Sequence, residues 1–141
     1  MRKIGILFIT VFCLFACKSN STQISLEGEL KGLTNDTLYL YGTDALYDRI
    51  DTIYAQEGKF SYNLNVDSTV IDTLTATVLL INGNVEYPLF LDKGNQIKIK
   101  GNANDLSHLD IDGNEPNTSL SLFMKEQKSL GQASNKMMQE K

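Results

Sequence analysis

From Ile24 onward, apolar and polar residues alternate in short runs cut by Gly, Asn and Asp, the period-2 pattern of strands with one face on a core. "ISLEGEL" sets Ile24, Leu26, Gly28 and Leu30 on one side and Glu27 and Glu29 on the other. "GKFSYNLNV" does the same with Phe60, Tyr62 and Leu64 against Ser61, Asn63 and Asn65. "TLYLYG" (37–42) is apolar on both faces, which predicts a strand covered on both sides or one whose tyrosines lie against a rim. "YDRIDTIYA" continues the β pattern through Ile50, Ile53 and Tyr54. "LTATVLLI" and "VEYPLFLD" flank Asn82-Gly83-Asn84, a hairpin signal because Asn and Gly tolerate positive φ. Pro88 cannot donate to a ladder and marks the second run as an edge strand or a bulge. "QIKIKG" and "HLDIDG" alternate again, with Ile97, Ile99, Leu109 and Ile111 against Lys98, Lys100, Asp110 and Asp112.

After Gly113 the period changes. Leu120, Phe123, Met124, Leu130, Met137 and Met138 fall roughly on one stripe, interrupted by Gln127 and Ser134, which predicts an amphipathic helix. Pro116 suits its first turn, Asn117 is the expected cap, and Gly131 weakens its middle. The expected fold is therefore mainly β: an antiparallel β-sandwich-like domain over residues 24–116, followed by a C-terminal α-helix over 117–141. The helix reaches Lys141 with neither a capping signal nor a closing strand, and the expectation is that further sequence follows it.

The first seventeen residues read differently. Arg2 and Lys3 precede an apolar run, Ile4 to Ala16, too short for the roughly 20 residues that span a bilayer as a helix. This is the layout of an export signal. "LFAC" (14–17) resembles a lipobox, apart from Phe15 where a small or β-branched residue is usual, so Cys17 is the expected lipidation site and Cys13 leaves with the signal. Several acyl chains on one residue give stable anchoring. The alternative is an ordinary secretory signal cleaved elsewhere. Residues 18–23, "KSNSTQ", make a polar tether.

Composition narrows the chemistry. Without Arg2 and Lys3, 11 basic residues stand against 17 acidic ones, a net charge of −6. With no basic run interleaved with aromatics, nucleic acid is not an expected partner. Both cysteines lie at or before position 17, so a lipidated mature chain carries no free thiol. His108 is the single histidine, which leaves no Cys/His metal cluster and no second partner for one. A Ser-His-Asp set lacks the G-x-S-x-G elbow. "DIDGNEPN" (110–117) begins like a calcium loop but puts Glu115 and Ser121 where Gly and Glu are needed, so it reads as a strand end turning into a helix. No catalytic residue, metal site or cofactor is expected.

Four Asp-Ser/Thr pairs recur, at Asp36-Thr37, Asp51-Thr52, Asp67-Ser68 and Asp72-Thr73. Each is followed by an aliphatic residue or Thr, similar to the O-glycosylation acceptor motif of exported Bacteroidota proteins, which makes Thr37, Thr52, Ser68 and Thr73 candidate sites. The plainer reading is local Asp-to-backbone bonding at strand starts and turns.

Taken together, "ISLEGELKGLTNDTLYLYG", "DRIDTIYAQEGKFSY", "YPLFLDKGNQIKIKG" and "LDIDGNEPN" resemble the domain of unknown function DUF4369. The carrying positions are Gly28 and Gly32 in the first strand and turn, Asp51-Thr52 and Gly58-Lys59-Phe60 around a central hairpin, Leu91-Asp92-Lys93-Gly94, and Gly113 with Asn117. The resemblance implies an N-terminal module of Bacteroidota envelope lipoproteins, often placed ahead of a thioredoxin-like domain of the thiol-disulfide interchange or AhpC/TSA kind. That Cys-x-x-Cys domain is not in this sequence. Two functional classes follow. One is a non-catalytic accessory module, lipid-anchored and facing the periplasm, expected on the outer membrane, that holds a redox domain and docks its partner or client. The other is a stand-alone envelope lipoprotein that binds a protein or a glycan.

Overall fold

A computed structural model describes residues 22–33, 36–42, 49–65 and 74–140. Eight strands and one helix follow in the order β1 (Gln23–Lys31), β2 (Thr37–Gly42), β3 (Arg49–Tyr54), β4 (Lys59–Asn65), β5 (Thr75–Ile81), β6 (Val85–Leu91), β7 (Gln96–Asn102), β8 (Asp105–Asp112) and α1 (Glu115–Gln139). They form two four-stranded sheets, β4-β1-β7-β8 and β3-β2-β5-β6, packed as a sandwich and followed by the helix. The mainly β class read from the alternation is the one found.

The alternating residues meet between the sheets. Ile24, Leu26, Leu38, Leu40, Ile81, Leu89, Leu91 and Ile97 are each at 0% exposure, and Leu79, Ile99, Leu109 and Ile111 join them. Each side chain taken from water to the interior contributes about 1.5–3 kcal/mol, which is what sets the register of every strand. Asn82 and Gly83 turn β5 into β6 with φ of 53° and 74°, and Ile81 faces Val85 across the turn. β6 is an edge strand, which accommodates Pro88.

Three details depart from the alternation alone. β1 runs parallel to β7, with Leu26 opposite Ile97 and Gly28 opposite Ile99, while the remaining ladders are antiparallel. The expected central hairpin is a crossing: β3 belongs to one sheet and β4 to the other, and the chain changes sheet through Glu57 and Gly58, at φ of 51° and 78°. Its tight turn leaves the Gln56 to Lys59 bridge, while Gly58 O accepts from Leu30 N at 2.8 Å. Gly28 has a reason that alternation does not supply. It sits within β1 because the Phe60 ring lies over it, and a Cβ there would come 2.1 Å from Phe60 Cζ.

The helix begins two residues earlier than expected, capped by Asn114 rather than Asn117. The Asn114 side chain accepts from Asn117 N at 3.0 Å, and Pro116 occupies the first turn. α1 packs along β8 and touches β6, so it covers one edge of each sheet.

Candidate functional site

The outer faces of the two sheets differ in chemistry, and strand register shows how. Across the first sheet Lys59, Glu29, Lys100 and Asp110 form one row, and Ser61, Glu27, Lys98 and Asp112 the next. Charge alternates along both rows. Lys125 of α1 carries the first row one step further by donating to Asp110. Cross-strand pairs of opposite charge contribute roughly 0.2–1 kcal/mol each, and such a face satisfies itself in water.

The second sheet turns Tyr39 and Tyr41 of β2, Val78 and Leu80 of β5, and Pro88 and Phe90 of β6 outward. All six are half-buried, while their neighbours Leu38, Leu40, Leu79 and Leu89 are fully inside. Tyr39 faces Leu80 across one ladder and Thr52 across the other, and Tyr41 faces Val78, which faces Pro88. The two tyrosine rings lie 6.3 Å apart and tilted by 49°. Aromatic and aliphatic side chains with few charges are what the centre of a protein interface is made of. At the strand end, Tyr54 is 73% exposed beside an open groove of about 1030 Å³ lined by Thr37, Gln56, Lys59 and Phe60. The pattern in "TLYLYG" already pointed to this face; the contributions of Val78, Leu80, Pro88 and Phe90 become visible only once β5 and β6 are set beside β2.

At the opposite side of the sandwich, polar side chains fasten the helix. Asn117, 1% exposed, accepts from Phe90 N at 2.8 Å and donates to Phe90 O at 2.8 Å, so its amide replaces the next strand on the β6 edge. Asn114 donates to Phe90 O at 2.9 Å and to Asn95 Oδ1 at 2.7 Å, tying the β6–β7 connection to the same point. Asp105 of β8 accepts from Lys128 at 2.7 Å and from Ser107 at 2.7 Å, and pairs with His108 Nδ1 at 2.8 Å. The Lys128 bond, then those from Ser107 and His108, hold the Asp105 carboxyl well below the usual carboxylate range. This is the Ser-His-Asp combination present in the sequence, and its geometry is not that of a triad. Ser107 and Asp105 both approach Nδ1 of the imidazole, at 3.4 and 2.8 Å, which is not the relay through opposite ring nitrogens that activates a serine.

The expected apolar stripe of the helix does not face the sandwich. Of its members only Met124 packs against the core, whereas Phe123, Leu130, Met137 and Met138 are 54–71% exposed. Asn117, buried Ser121, Lys125 and Lys128 take the packing face instead. Phase explains it: the asparagines lock the first turn onto the β6 edge, and every later residue inherits that rotation.

At the two candidate acceptors within the described residues the Asp side chain bonds the backbone locally, which leaves the threonine hydroxyl's modification open to the intact mass of the native protein. Asp36 Oδ1 accepts from Thr37 N and Asp51 Oδ1 from Thr52 N, each at 2.7 Å. Both threonines are half-buried, Thr37 in the groove and Thr52 beside Tyr39. Asp51 also accepts from the Tyr62 hydroxyl, a link between the sheets; burial first, then that bond and the Asp51 charge, push the Tyr62 phenol up. Cys17, Ser68 and Thr73 lie outside the described residues. Among the described residues no group of three or more His, Cys, Asp or Glu side chains converges as a metal site would, and no helix is long and apolar enough to cross a membrane.

A family model described as a domain of unknown function, DUF4369, matches residues 24–120. No curated protein and no solved structure matches the chain.

Proposed function

The chain belongs to the DUF4369 family, and we propose that it is a non-catalytic, lipid-anchored module of the cell envelope that docks a periplasmic thioredoxin-like domain. Cys17 supplies the anchor and the residues between it and β1, 18–22, the tether, facing the periplasm from the outer membrane. The observation that carries the docking role is the contrast between the two outer faces. The first sheet pairs its own charges, whereas the second offers Tyr39, Tyr41, Val78, Leu80, Pro88 and Phe90 as an apolar strip bordered by the exposed Glu86 opposite Leu80. A thiol-exchange enzyme needs a thiolate. Downstream of Cys17 this chain has none, so in this reading redox chemistry belongs to the docked domain.

The test is co-purification from detergent-solubilised envelope. The parent chain is expected to bring down a protein with a Cys-x-x-Cys thioredoxin-like domain, and Tyr41→Asp combined with Leu80→Asp to lose it at least tenfold. Lys98→Glu, on the charged face, is expected to retain it. Recovery that ignores the Tyr41 and Leu80 changes contradicts the docking role. The paired tyrosines also suit a sugar ring stacked on their faces, the second functional class, and a retained glycan in place of a protein supports that reading.

A further inference from the structure

We propose that the cleft between α1, β6 and β8 binds a small neutral molecule, one with an apolar body and an acceptor oxygen that takes the hydrogen bond of the Tyr87 hydroxyl. Tyr87 is 2% exposed, and its Oη is closed to solvent with no hydrogen-bond partner among the described residues. The other buried polar side chains described are all partnered. Thr77 Oγ1 donates to Leu89 O at 2.7 Å, Ser121 Oγ donates to Thr118 O at 3.1 Å, and Asn117 bonds both Phe90 N and Phe90 O. A buried donor without an acceptor gives up its bonds to water and receives nothing in return, which makes it a costly group to keep in a core. Phenylalanine would pack the same ring without that cost.

The space beside Tyr87 exists because α1 runs out of apolar side chains on its packing face. Ser121 and Met124 lie against the sandwich, but one turn further the helix presents Gln127 and Lys128, which line the gap to the strands and do not fill it. The result is a cleft of about 440 Å³, within the usual size range of small-molecule sites. Val85, Leu106 and Met124 give it apolar walls, and Tyr87 is its one fully buried lining residue. Apolar walls with few polar groups are the common make-up of such sites.

Charge decides what kind of molecule fits. Lys128, the one cation of the lining, already donates to Asp105 at 2.7 Å, and the exposed Glu86 adds a negative charge. An anionic ligand therefore meets like charge and a cation already paired. Burial pushes the Tyr87 phenol up, so the hydroxyl keeps its proton and acts as a donor. A ketone, ester or amide oxygen is the acceptor it suits. Met124, with three rotatable bonds, is the lining side chain that shifts most readily to bring such an oxygen to the hydroxyl. None of the six side chains of the docking strip lines the cleft, so the inference stands apart from that reading.

The test titrates the full lipidated chain, its Leu and Met methyl groups labelled for NMR, in mild detergent. One probe is acetophenone and the other α-methylstyrene, which has the same shape with a methylene in place of the carbonyl oxygen. Acetophenone is expected to shift the Leu106 and Met124 methyl resonances saturably. Tyr87→Phe is expected to weaken acetophenone about fivefold, the share of one neutral hydrogen bond, and to leave α-methylstyrene unchanged. Comparing the two proteins in the same detergent cancels partitioning of the probes into micelles. Equal acetophenone affinity in the two proteins, an equal loss for both probes, or no saturable shift at these methyl groups overturns the proposal. Tyr87→Phe is also expected to melt no lower than the parent, because it removes an unpaired hydroxyl; a clearly lower midpoint shows the hydroxyl already partnered and overturns it too. Val85→Trp, at a rim position 38% exposed, is expected to fill the cleft and abolish the shifts, and shifts that persist contradict the site.

Discussion

Gly28 shows how much one position can hold. The alternation in "ISLEGEL" puts Gly28 on the buried side of a strand without saying why a glycine stands there; in the fold its lack of a Cβ makes room for the ring of Phe60, which sits opposite it in the ladder. The expected cost of Gly28→Ala is about 1–3 kcal/mol, because the ring has to leave a filled core. Urea unfolding checks this, and an unchanged midpoint contradicts the packing. The reason for Gly28 could not be read from its own neighbours, since the contact comes from a residue 32 positions away. By contrast Asn82-Gly83, whose requirement is local, was fully legible.

Among elements, the strands were legible and the orientation of the helix was not. Alternation decides which side of a strand is buried, because a one-residue slip exposes the entire apolar set. The helix stripe also announced itself, but periodicity gives only the existence of an apolar face and not what it faces. Asn117 decided that by pairing with Phe90, a long-range bond that no helical spacing encodes. Asn117→Ala leaves the Phe90 N–H without its partner, at an expected cost of about 1–3 kcal/mol, seen as a lower thermal midpoint. The second fastening is sensitive to pH. The folded Asp105 carboxyl titrates below its unfolded value, so between the two the unfolded chain binds more protons and stability rises with pH. Its contribution is full above about pH 4 and is lost as pH falls below. Loosening of α1 on acidification is expected in the parent chain by far-UV circular dichroism and hydrogen exchange. Lys128→Ala is expected to show the loosened helix already at pH 7, with a smaller further change in acid; an identical profile in both contradicts the clamp.

For the whole molecule, the fold divides its surfaces by task. One sheet face is charged and self-paired, one is aromatic and aliphatic, and α1 turns an apolar stripe away from the sandwich. The charged face was written into "QIKIKG" and "HLDIDG"; the aromatic face was half visible, because its three strands come together only through the order β2-β5-β6. At the front of the chain, Cys17→Ser is expected to release the protein from the membrane fraction or leave the precursor uncleaved, and unchanged processing and detergent partitioning contradict the lipid anchor. The most direct test of the docking role is a photo-reactive residue at Tyr41 of the lipidated chain in its native envelope, beside one at Lys98. The account predicts an adduct with a thioredoxin-like domain from Tyr41 and little from Lys98. Equal labelling from both positions, or none from Tyr41, contradicts it.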